Sequence, residues 1–478
     1  TLFFIRVIMV SQLITTLRSS LKYLLWIQVI LQLDAYFVLQ ILKEKGSDVS
    51  VSMLSLGGLK IEKPLISLLL AVLAAVVVSP NADKEEVKKD KKVEPKKVAV
   101  PVKKEETKVI TPTSEVIVNR VSGKSLDVVL VGCGMPKKGM GWYHLTQLLD
   151  MPNANVVAVV EPFFLNKKLC PTPPEAFAEM VESLEKAGIK CTDSVAKLPQ
   201  FTKDTMCLIA GRTPDNPALF KACIAQGAKV IYLEKPGAPS VAELEEMSDW
   251  AKVKGVKVYL GYNKNVTSFV QKALALSKKH ENSKVTFCHN NSYKTNDLPE
   301  CFSRCSEGML KNMAIHELAL LVSFFGVTVD TIKELKVNTH KLFTESLTCW
   351  VPGTTVPNEK YITDFSRIGF TVTSQDDKKV SIMADRCGGN ISFASVKDAN
   401  GMEIEKFEFP DAETQIKVDK QCEEDPDMMP YFFIQSDDYF TLKDRVINSS
   451  LNKTDAEGIA TIYVAIEALK LAEYFTVE

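Results

Sequence analysis

The sequence predicts an α/β fold in which a parallel-sheet domain is followed by a C-terminal α+β domain with a large open, mostly antiparallel sheet. Short apolar runs alternate with helical patterns over residues 126–261, which is typical of parallel strands joined by crossover helices. After about Val266, segments of period two dominate, such as Ile368, Phe370 and Val372. The length of 478 residues, of which 46% are hydrophobic, suffices for two domains and a further region.

The N-terminal part of the chain differs from the rest. Residues 1–82 are strongly hydrophobic, and the apolar core at 65–78 suits a signal peptide better than a membrane span of ~20 residues. We therefore expect secretory or organelle targeting by residues 53–82, with an uncleaved membrane anchor as the alternative and a cytoplasmic location otherwise. Residues 83–124 are predicted to form a charged, disordered linker, because Lys, Glu, Val and Pro dominate them.

Charge and cysteine content narrow the classes of partner. A formal net charge of −1 removes the electrostatic argument for nucleic acid, so a small-molecule ligand is expected. Among the 11 cysteines, Cys133, Cys207 and Cys223 lie in apolar segments and are predicted to be core thiols. Cys301 and Cys305 lie in a polar stretch without a matching Cys or His pair. They are predicted to be loop thiols, and no metal site is expected.

A glycine turn follows the first strand of the parallel domain. Asp127-Val-Val-Leu-Val-Gly-Cys-Gly134 runs from a short apolar strand into Gly132-x-Gly134, a turn that lets the backbone approach a pyrophosphate held at a helix N-terminus. The third glycine is missing at its usual spacing. Gly139 or Gly141 is the displaced equivalent, which predicts a longer phosphate loop.

An acidic residue follows the second strand at the distance that a dinucleotide site requires. Glu161 lies 20 residues beyond Gly141, where a carboxylate would bond a ribose 2′-hydroxyl. It favours NAD over NADP, although Lys137, Lys138 and Lys167 could reverse this preference. Residues 125–265 are therefore predicted to be a Rossmann domain that binds NAD or NADP, and residues 266–478 a domain for substrate binding and oligomerisation.

A charged pair ends the fifth strand. Glu234-Lys235-Pro236 lies at the carboxyl end of a buried strand, where ligands bind in open parallel sheets. The next helix explains the sequence only from Ser240 onward. Its capping box is Ser240-Val-Ala-Glu243, and its predicted apolar stripe consists of Val241, Leu244, Met247 and Trp250.

Three further elements are predicted in the second domain. Residues 307–325 are expected to form a helix ended by Gly326, and Asp398-Ala-Asn-Gly401 a hairpin turn. The last helix is predicted to start at a capping box, Thr454-Asp-Ala-Glu457. Its apolar stripe would be Ile459, Ile462, Ile466 and Leu469.

Taken in order, these residues resemble the Gfo/Idh/MocA oxidoreductases, the family of glucose-fructose oxidoreductase and inositol dehydrogenase. The resemblance covers roughly Leu126 to Tyr474. Its motifs are the Gly-x-Gly turn, Thr213-Pro214-Asp215-Asn216, Glu234-Lys235-Pro236, Gly261-Tyr262-Asn263-Lys264-Asn265, and a helix carrying His316. The most specific element is Glu-Lys-Pro followed by Gly-Tyr-Asn.

The resemblance implies a role for each residue. Lys235, His316 and Asn312 would be catalytic: Lys235 stabilises the developing oxyanion, His316 takes the hydroxyl proton, and hydride passes to the nicotinamide. Tyr262, Asn263 and Lys264 would contact substrate. The cofactor would be held by Gly132, Gly134, Gly139, Gly141, Glu161, Thr213, Pro214, Asn216, Glu234 and Lys235.

Two residues depart from the family pattern. The family motif of Asp, three residues and His reads Asn312-Met-Ala-Ile-His316 here, and a second acid of the family is Ala319. Positions i and i+4 share one helical face, but an amide cannot hold negative charge or relay a proton.

Three functions are therefore considered. The first is an NAD(P)-dependent oxidoreductase that acts on a secondary alcohol of a sugar, cyclitol or related polyol. The others are a non-catalytic dinucleotide-binding sensor and a glycosidase that uses bound NAD, both of which the family includes. We also expect a homo-oligomer, no nucleic-acid partner, and membrane association only through the N-terminal segment.

Overall fold

The computed structural model describes residues 53–56, 59–62, 124–299, 301, 308–339, 343–350, 361–389 and 392–477. The chain divides into two compact units, Thr1–Glu105 and Glu106–Glu478. In the first, strands β1 (Met53–Leu56) and β2 (Leu59–Glu62) form an antiparallel pair. The predicted targeting core and the linker up to residue 123 lie outside the described residues. No helix in the described ranges has the length and apolar character needed to cross a membrane.

The second unit contains a six-stranded parallel sheet in the order β5-β4-β3-β6-β7-β8. Its strands are β3 (Leu126–Val131), β4 (Ala154–Val160), β5 (Lys190–Thr192), β6 (Thr205–Ile209), β7 (Val230–Leu233) and β8 (Lys257–Leu260). The helices between them are α1 (Met140–Asp150), α2 (Glu175–Lys186), α3 (Asn216–Ala225) and α4 (Val241–Lys254). This is the predicted Rossmann arrangement, in which ligands bind beyond the carboxyl ends of the strands, where the strand order reverses at β3.

A second, mixed sheet follows in the order β10-β12-β13-β9-β14-β15, with β11 beside β12. Its strands are β9 (Lys284–Asn290), β10 (Ile332–Val337), β11 (Glu345–Trp350), β12 (Tyr361–Ser374), β13 (Lys379–Asp385), β14 (Ser392–Lys397) and β15 (Glu403–Phe409). Among the described strand pairs of this second sheet, only β13–β9 is parallel. The second sheet is therefore mostly antiparallel, as predicted. The Asp398–Gly401 hairpin turn is confirmed, since Asp398 Oδ1 accepts the amides of Asn400 and Met402.

Helices of the C-terminal region pack on both sheets. They are α5 (Ser268–Ser277), α6 (Met309–Asn312), α7 (Ile315–Phe325), α8 (Ala412–Glu424), α9 (Pro430–Ile434), α10 (Ser436–Asn452) and α11 (Ile462–Val477). One continuous core contains Val131 of the first sheet, Phe287 of the second and Leu469 of α11. On the other face of the first sheet, α10 packs Tyr439 and Leu442 against α1 and β3. A helix distant in sequence therefore covers part of one face of the Rossmann sheet.

Two helix predictions are corrected. The predicted helix over 307–325 is interrupted at Met313 and Ala314, where the chain turns between α6 and α7; Gly326 ends α7 in a left-handed conformation, as predicted. The capping box at Thr454–Glu457 does not begin a helix. Gly458 has a left-handed φ of 75°, and the preceding segment is held by the Ala456 amide donating to the Tyr259 hydroxyl. The last helix therefore begins at Ile462, and Ile459 is buried in the loop before it.

Two side-chain predictions are also corrected. Trp250 is 40% exposed because Ala251, seven residues after Leu244, takes the inward position on α4. Cys301 is not a loop thiol but is buried beside the guanidinium of Arg386, with Nη1 3.0 Å from Sγ, while Cys305 lies outside the described residues. The predicted cap at Ser240 and the buried thiols at 133, 207 and 223 are confirmed. The nine cysteines whose side chains the structure describes are all free thiols.

Candidate active site

The glycine turn at the end of β3 brings α1 against the strand. Gly132 and Gly134 have φ values of 85° and 70°, which side-chain-bearing residues rarely adopt. A Cβ atom on Gly141 would lie 1.8 Å from the Gly132 carbonyl oxygen, so only glycine allows this approach. Gly139 is the residue before α1. Of the two predicted equivalents of the third glycine, Gly141 therefore has the packing role.

Glu161 closes the turn from the neighbouring strand. It is buried at the end of β4, where Oε2 accepts the Gly134 amide at 2.7 Å and Oε1 accepts the Phe163 amide at 3.0 Å. The Glu161 amide donates to the carbonyl of Thr192 at 2.9 Å. Thr192 also lines a cavity of about 530 Å³, together with residues of the loop after β4 and of β5 and the segment after it: Leu165, Asn166, Lys167, Lys168, Cys191, Asp193 and Lys197. The glycine turn and this cavity fit the pyrophosphate and the adenosine end of a dinucleotide.

Two lysines near this end have different surroundings. Lys137, in the glycine loop, pairs with Asp425 after α8 at 2.9 Å. Lys167 lines the cavity beside Glu161, where it could approach a 2′-phosphate. Lys137 is thus engaged by a carboxylate, and the preference of this site for NAD or NADP stays a prediction.

The next predicted site residues lie in the turn after β6. Thr213 and Pro214 belong to a 3₁₀ turn, Thr213–Asp215, in which Thr213 is half-buried and Pro214 exposed. Asn216 is buried and donates from Nδ2 to the Gly237 carbonyl at 3.0 Å. Its Oδ1 has no hydrogen-bond partner among the described residues, which suits a polar ligand at this edge.

The two charged residues after β7, Glu234 and Lys235, have different surroundings. Glu234 is buried, and its Oε1 accepts from His144 Nε2 at 2.9 Å and from the Tyr232 hydroxyl at 3.3 Å. Lys443 of α10 lies 3.1 Å from the other ring nitrogen of His144. Burial, reinforced by Lys443, lowers the pKa of His144 to about 4, so its imidazole is neutral. The structure therefore places Glu234 in a buried network under the sheet edge, and its cofactor role stays a prediction.

Lys235 turns the other way, toward α6. Its ammonium donates to the backbone carbonyl of Asn312 at 2.7 Å. In a continuous α-helix this carbonyl would accept the amide four residues on, that of His316. The interruption between α6 and α7 thus gives Asn312 a backbone role beside Lys235 that its sequence motif did not indicate.

His316 lies on α7 within the same cluster. Its ring meets that of Tyr262 edge to face, with 5.8 Å between the ring centres. Burial, then the ammonium groups of Lys235 and Lys264, hold the pKa of His316 well below its usual range. The imidazole is therefore neutral near pH 7, which is the form that accepts a proton.

Glu317 and His289 join this cluster although no sequence prediction named them. Lys264 donates to Glu317 Oε1, and Glu317 Oε2 lies 3.1 Å from Nδ1 of His289, at the end of β9. Burial opposes ionisation of Glu317, but Lys264 and His289 outweigh it and hold its pKa well below the usual value. A signal existed, since Glu317 is the only acidic residue in the apolar stretch Ile315–Phe325.

The start of α10 supplies a second acid that the sequence did not indicate. Asn263 donates to Gln435 at 2.8 Å, and Asp438 lies beside Asn263 and Lys264. Burial, then the charge of Asp437, raises the pKa of Asp438 to about 8. This carboxyl is therefore mostly protonated at neutral pH. Position 438 is 174 residues beyond Lys264 in the sequence, so only the packing of α10 reveals it.

Several polar atoms in this cluster are buried without hydrogen-bond partners among the described residues. They are Tyr262 OH, Asn263 Oδ1, His316 Nδ1 and Asp438 Oδ2. Each such atom costs about 1–3 kcal/mol unless a ligand or water bonds it. Within the described ranges, no group of three or more His, Cys, Asp or Glu side chains could hold a metal ion. The arrangement suits a small ligand with several hydroxyl groups.

Comparison with known proteins bears on the Rossmann domain first. The model of the Gfo/Idh/MocA family, described as an oxidoreductase family with an NAD-binding Rossmann fold, matches residues 126–262. No curated protein sequence matches the chain.

Solved structures extend the similarity to both sheets. The chain resembles myo-inositol 2-dehydrogenase from Lactobacillus plantarum at 15% identity and a TM-score of 0.51, over 74% of this chain and 97% of that one. It also resembles an oxidoreductase from Agrobacterium radiobacter in complex with NAD⁺, L-tartaric acid and magnesium, at 12% identity and a TM-score of 0.50, over 73% and 95%. Identities this low support a shared fold only. Residues 126–262 thus match the NAD-binding Rossmann domain of the Gfo/Idh/MocA oxidoreductase family.

Proposed function

We propose that the protein is an NAD(P)-dependent oxidoreductase that oxidises or reduces a secondary alcohol of a sugar, cyclitol or related polyol. The observation that carries this proposal is the set of buried, unpartnered polar atoms of Tyr262, Asn263, His316 and Asp438 beside Lys235. A polyol offers hydroxyl groups that donate and accept, as these atoms require. The similarity to the structure of a myo-inositol 2-dehydrogenase supports the same substrate class.

In the proposed reaction, each of these residues has a separate role. The Gly132-x-Gly134 turn and Glu161 would hold the dinucleotide, with NAD favoured by Glu161; when bound, it supplies the hydride acceptor or donor. His316, neutral and buried, accepts the proton of the substrate hydroxyl. The ammonium of Lys235 stabilises the negative charge that develops on that oxygen. Tyr262 and Asn263 orient the remaining hydroxyls.

The substitution Lys235→Met tests this assignment. Loss of a charged group at the developing oxyanion should slow NADH formation on the order of 10²-fold to 10³-fold. Binding of NADH, followed by its fluorescence, should weaken far less than turnover, because the glycine turn and Glu161 remain. Lys221→Met is the matched control, since Lys221 pairs with Glu246 on the surface and should leave both quantities unchanged. A Lys235→Met protein that oxidises its alcohol as fast as the parent would contradict the assignment.

A second candidate is a non-catalytic dinucleotide sensor. It is favoured by Asn312, whose contact with Lys235 is made by the backbone, and by Ala319, which is buried in the core. A titration with NADH and NADPH, followed by a polyol screen on the same preparation, separates the two. Tight cofactor binding without turnover would support the sensor, and sustained NADH production would exclude it.

A further inference from the structure

Two imidazoles share the candidate active site, and they differ in their surroundings. The ring centres of His316 and His289 lie 6.3 Å apart. Nδ1 of His289 lies 3.1 Å from a carboxylate oxygen of Glu317, whereas Nδ1 of His316 has no partner among the described residues. Among the described residues, a carboxylate therefore contacts the ring of His289 but not the Nδ1 atom of His316.

The carboxylate determines the tautomer of His289. Lys264 and His289 keep Glu317 ionised, so it can only accept hydrogen bonds. Nδ1 of His289 must then carry the hydrogen, which leaves the lone pair on Nε2. A carboxylate that fixes an imidazole in this way orients a general base and stabilises its protonated form. Asn312 cannot give His316 the same support, because an amide cannot hold negative charge.

His289 is also more exposed to solvent than His316. Its side chain is 16% exposed at the end of β9, whereas His316 as a whole is 6% exposed. A proton that reaches His316 during oxidation of an alcohol must leave before the next turnover. The charged and titratable groups that face His289 include Glu317, Lys264, Lys235 and His316. Glu317 favours the protonated form of His289, and the two ammonium groups favour its release of that proton.

We propose that His289 is a second acid–base residue of the site, positioned by Glu317, which takes the substrate proton from His316 and releases it to solvent. This inference rests on the proposed function. In the oxidation direction the alcohol loses hydride from carbon to the dinucleotide and its hydroxyl proton to His316, forming the carbonyl. A water between the two rings, whose centres lie 6.3 Å apart, then takes the proton as the N–H bond on His316 breaks, and gives up a proton to Nε2 of His289; loss of the His289 proton to bulk solvent returns both rings to neutral.

The substitution His289→Gln tests the relay by kinetics. We expect kcat for NADH formation to fall on the order of 10-fold to 10²-fold, within the range of general acid–base effects, with KM for the alcohol nearly unchanged. Imidazole added to the buffer should restore part of kcat. His280→Gln is the matched control, because His280 is exposed on the turn after α5. An unchanged kcat in His289→Gln, or a loss that imidazole does not restore, would overturn the relay.

A measurement independent of turnover tests the dyad. The full chain has five histidines, so ¹⁵N-histidine spectra can resolve each ring. His289 should show hydrogen on Nδ1 in the parent, and Glu317→Gln should weaken this preference while leaving His280 unchanged. Because Glu317→Gln leaves Lys264 buried without its counter-ion, its folding is checked first by circular dichroism. Should Glu317→Gln not fold, the parent spectrum alone decides, and hydrogen on Nε2 of His289 would overturn the dyad.

The two proposals fail in different ways. A parent protein that makes no NADH with any polyol, yet shows the Nδ1–H tautomer at His289, would contradict the proposed function and the relay but support the dyad. A parent that makes NADH while His289 carries its hydrogen on Nε2 would contradict this inference alone.

Discussion

Gly141→Ala should damage both folding and dinucleotide binding. The new Cβ atom would lie 1.8 Å from the Gly132 carbonyl oxygen and 2.7 Å from that of Cys133. Nonbonded heavy atoms are most stable near ~3.5 Å, so the start of α1 would have to retreat by about 1.5 Å. Both obstacles are backbone atoms of the turn itself, and neither can rotate away as a side chain could. The displaced amides are those expected to hold the pyrophosphate.

The magnitude follows from opposing terms. Overpacking at a rigid site costs about 1–3 kcal/mol, and alanine returns at most about 1 kcal/mol over glycine inside a helix. We expect the free energy of unfolding in urea to fall by roughly 1–2 kcal/mol. NADH affinity, measured by fluorescence titration, should fall at least about tenfold, equivalent to ~1.4 kcal/mol.

Gly255→Ala is the control for this prediction. Gly255 ends α4 with a left-handed φ of 63°, and a Cβ atom there would meet no heavy atom within 4 Å. The substitution should cost about 1 kcal/mol of backbone strain and leave NADH affinity unchanged. The steric reasoning would be refuted if Gly141→Ala bound NADH as tightly as the parent, or if both variants weakened it equally.

Two further predictions concern buried titratable groups of α10 and have opposite signs. Asp438 keeps its proton in the folded state up to about pH 8 but loses it above 3.8 when unfolded. The free energy of unfolding should thus fall with rising pH across this window, by up to about 1.4 kcal/mol per pH unit. Asp438→Asn should flatten that fall in urea titrations. An unchanged slope in this variant would contradict the burial argument. Burial lowers the pKa of Lys443 from 10.5 to about 7. Between pH 7 and 10.5 the unfolded chain then binds one proton more than the folded chain, so the free energy of unfolding should rise with pH at a similar slope. Lys443→Met should abolish this rise. A parent protein that shows no such rise would indicate that Lys443 stays charged when folded.

The sequence alone determined the Rossmann architecture. Strands such as Leu126–Val131 are apolar on both faces, which only a sheet covered by helices on each side can accommodate. Glycine is required where the turn has a positive φ, and a charged pair at a strand end marks the edge where ligands bind. These are local constraints, so Gly132, Gly134 and Glu161 could be named from their spacing. Lys235 was named from its place at a strand end and from the family resemblance.

Tertiary structure decided the partners of those residues. Asn312 meets Lys235 through a carbonyl that the turn between α6 and α7 makes available, and no local pattern predicted that turn. His289 comes from a strand, Glu317 from a helix and Asp438 from α10. Their protonation is set by burial and by the charges of neighbouring side chains rather than by residue type alone. Proton affinity depends on neighbours brought together over long sequence separations, so the acid–base character of this site is a property of packing.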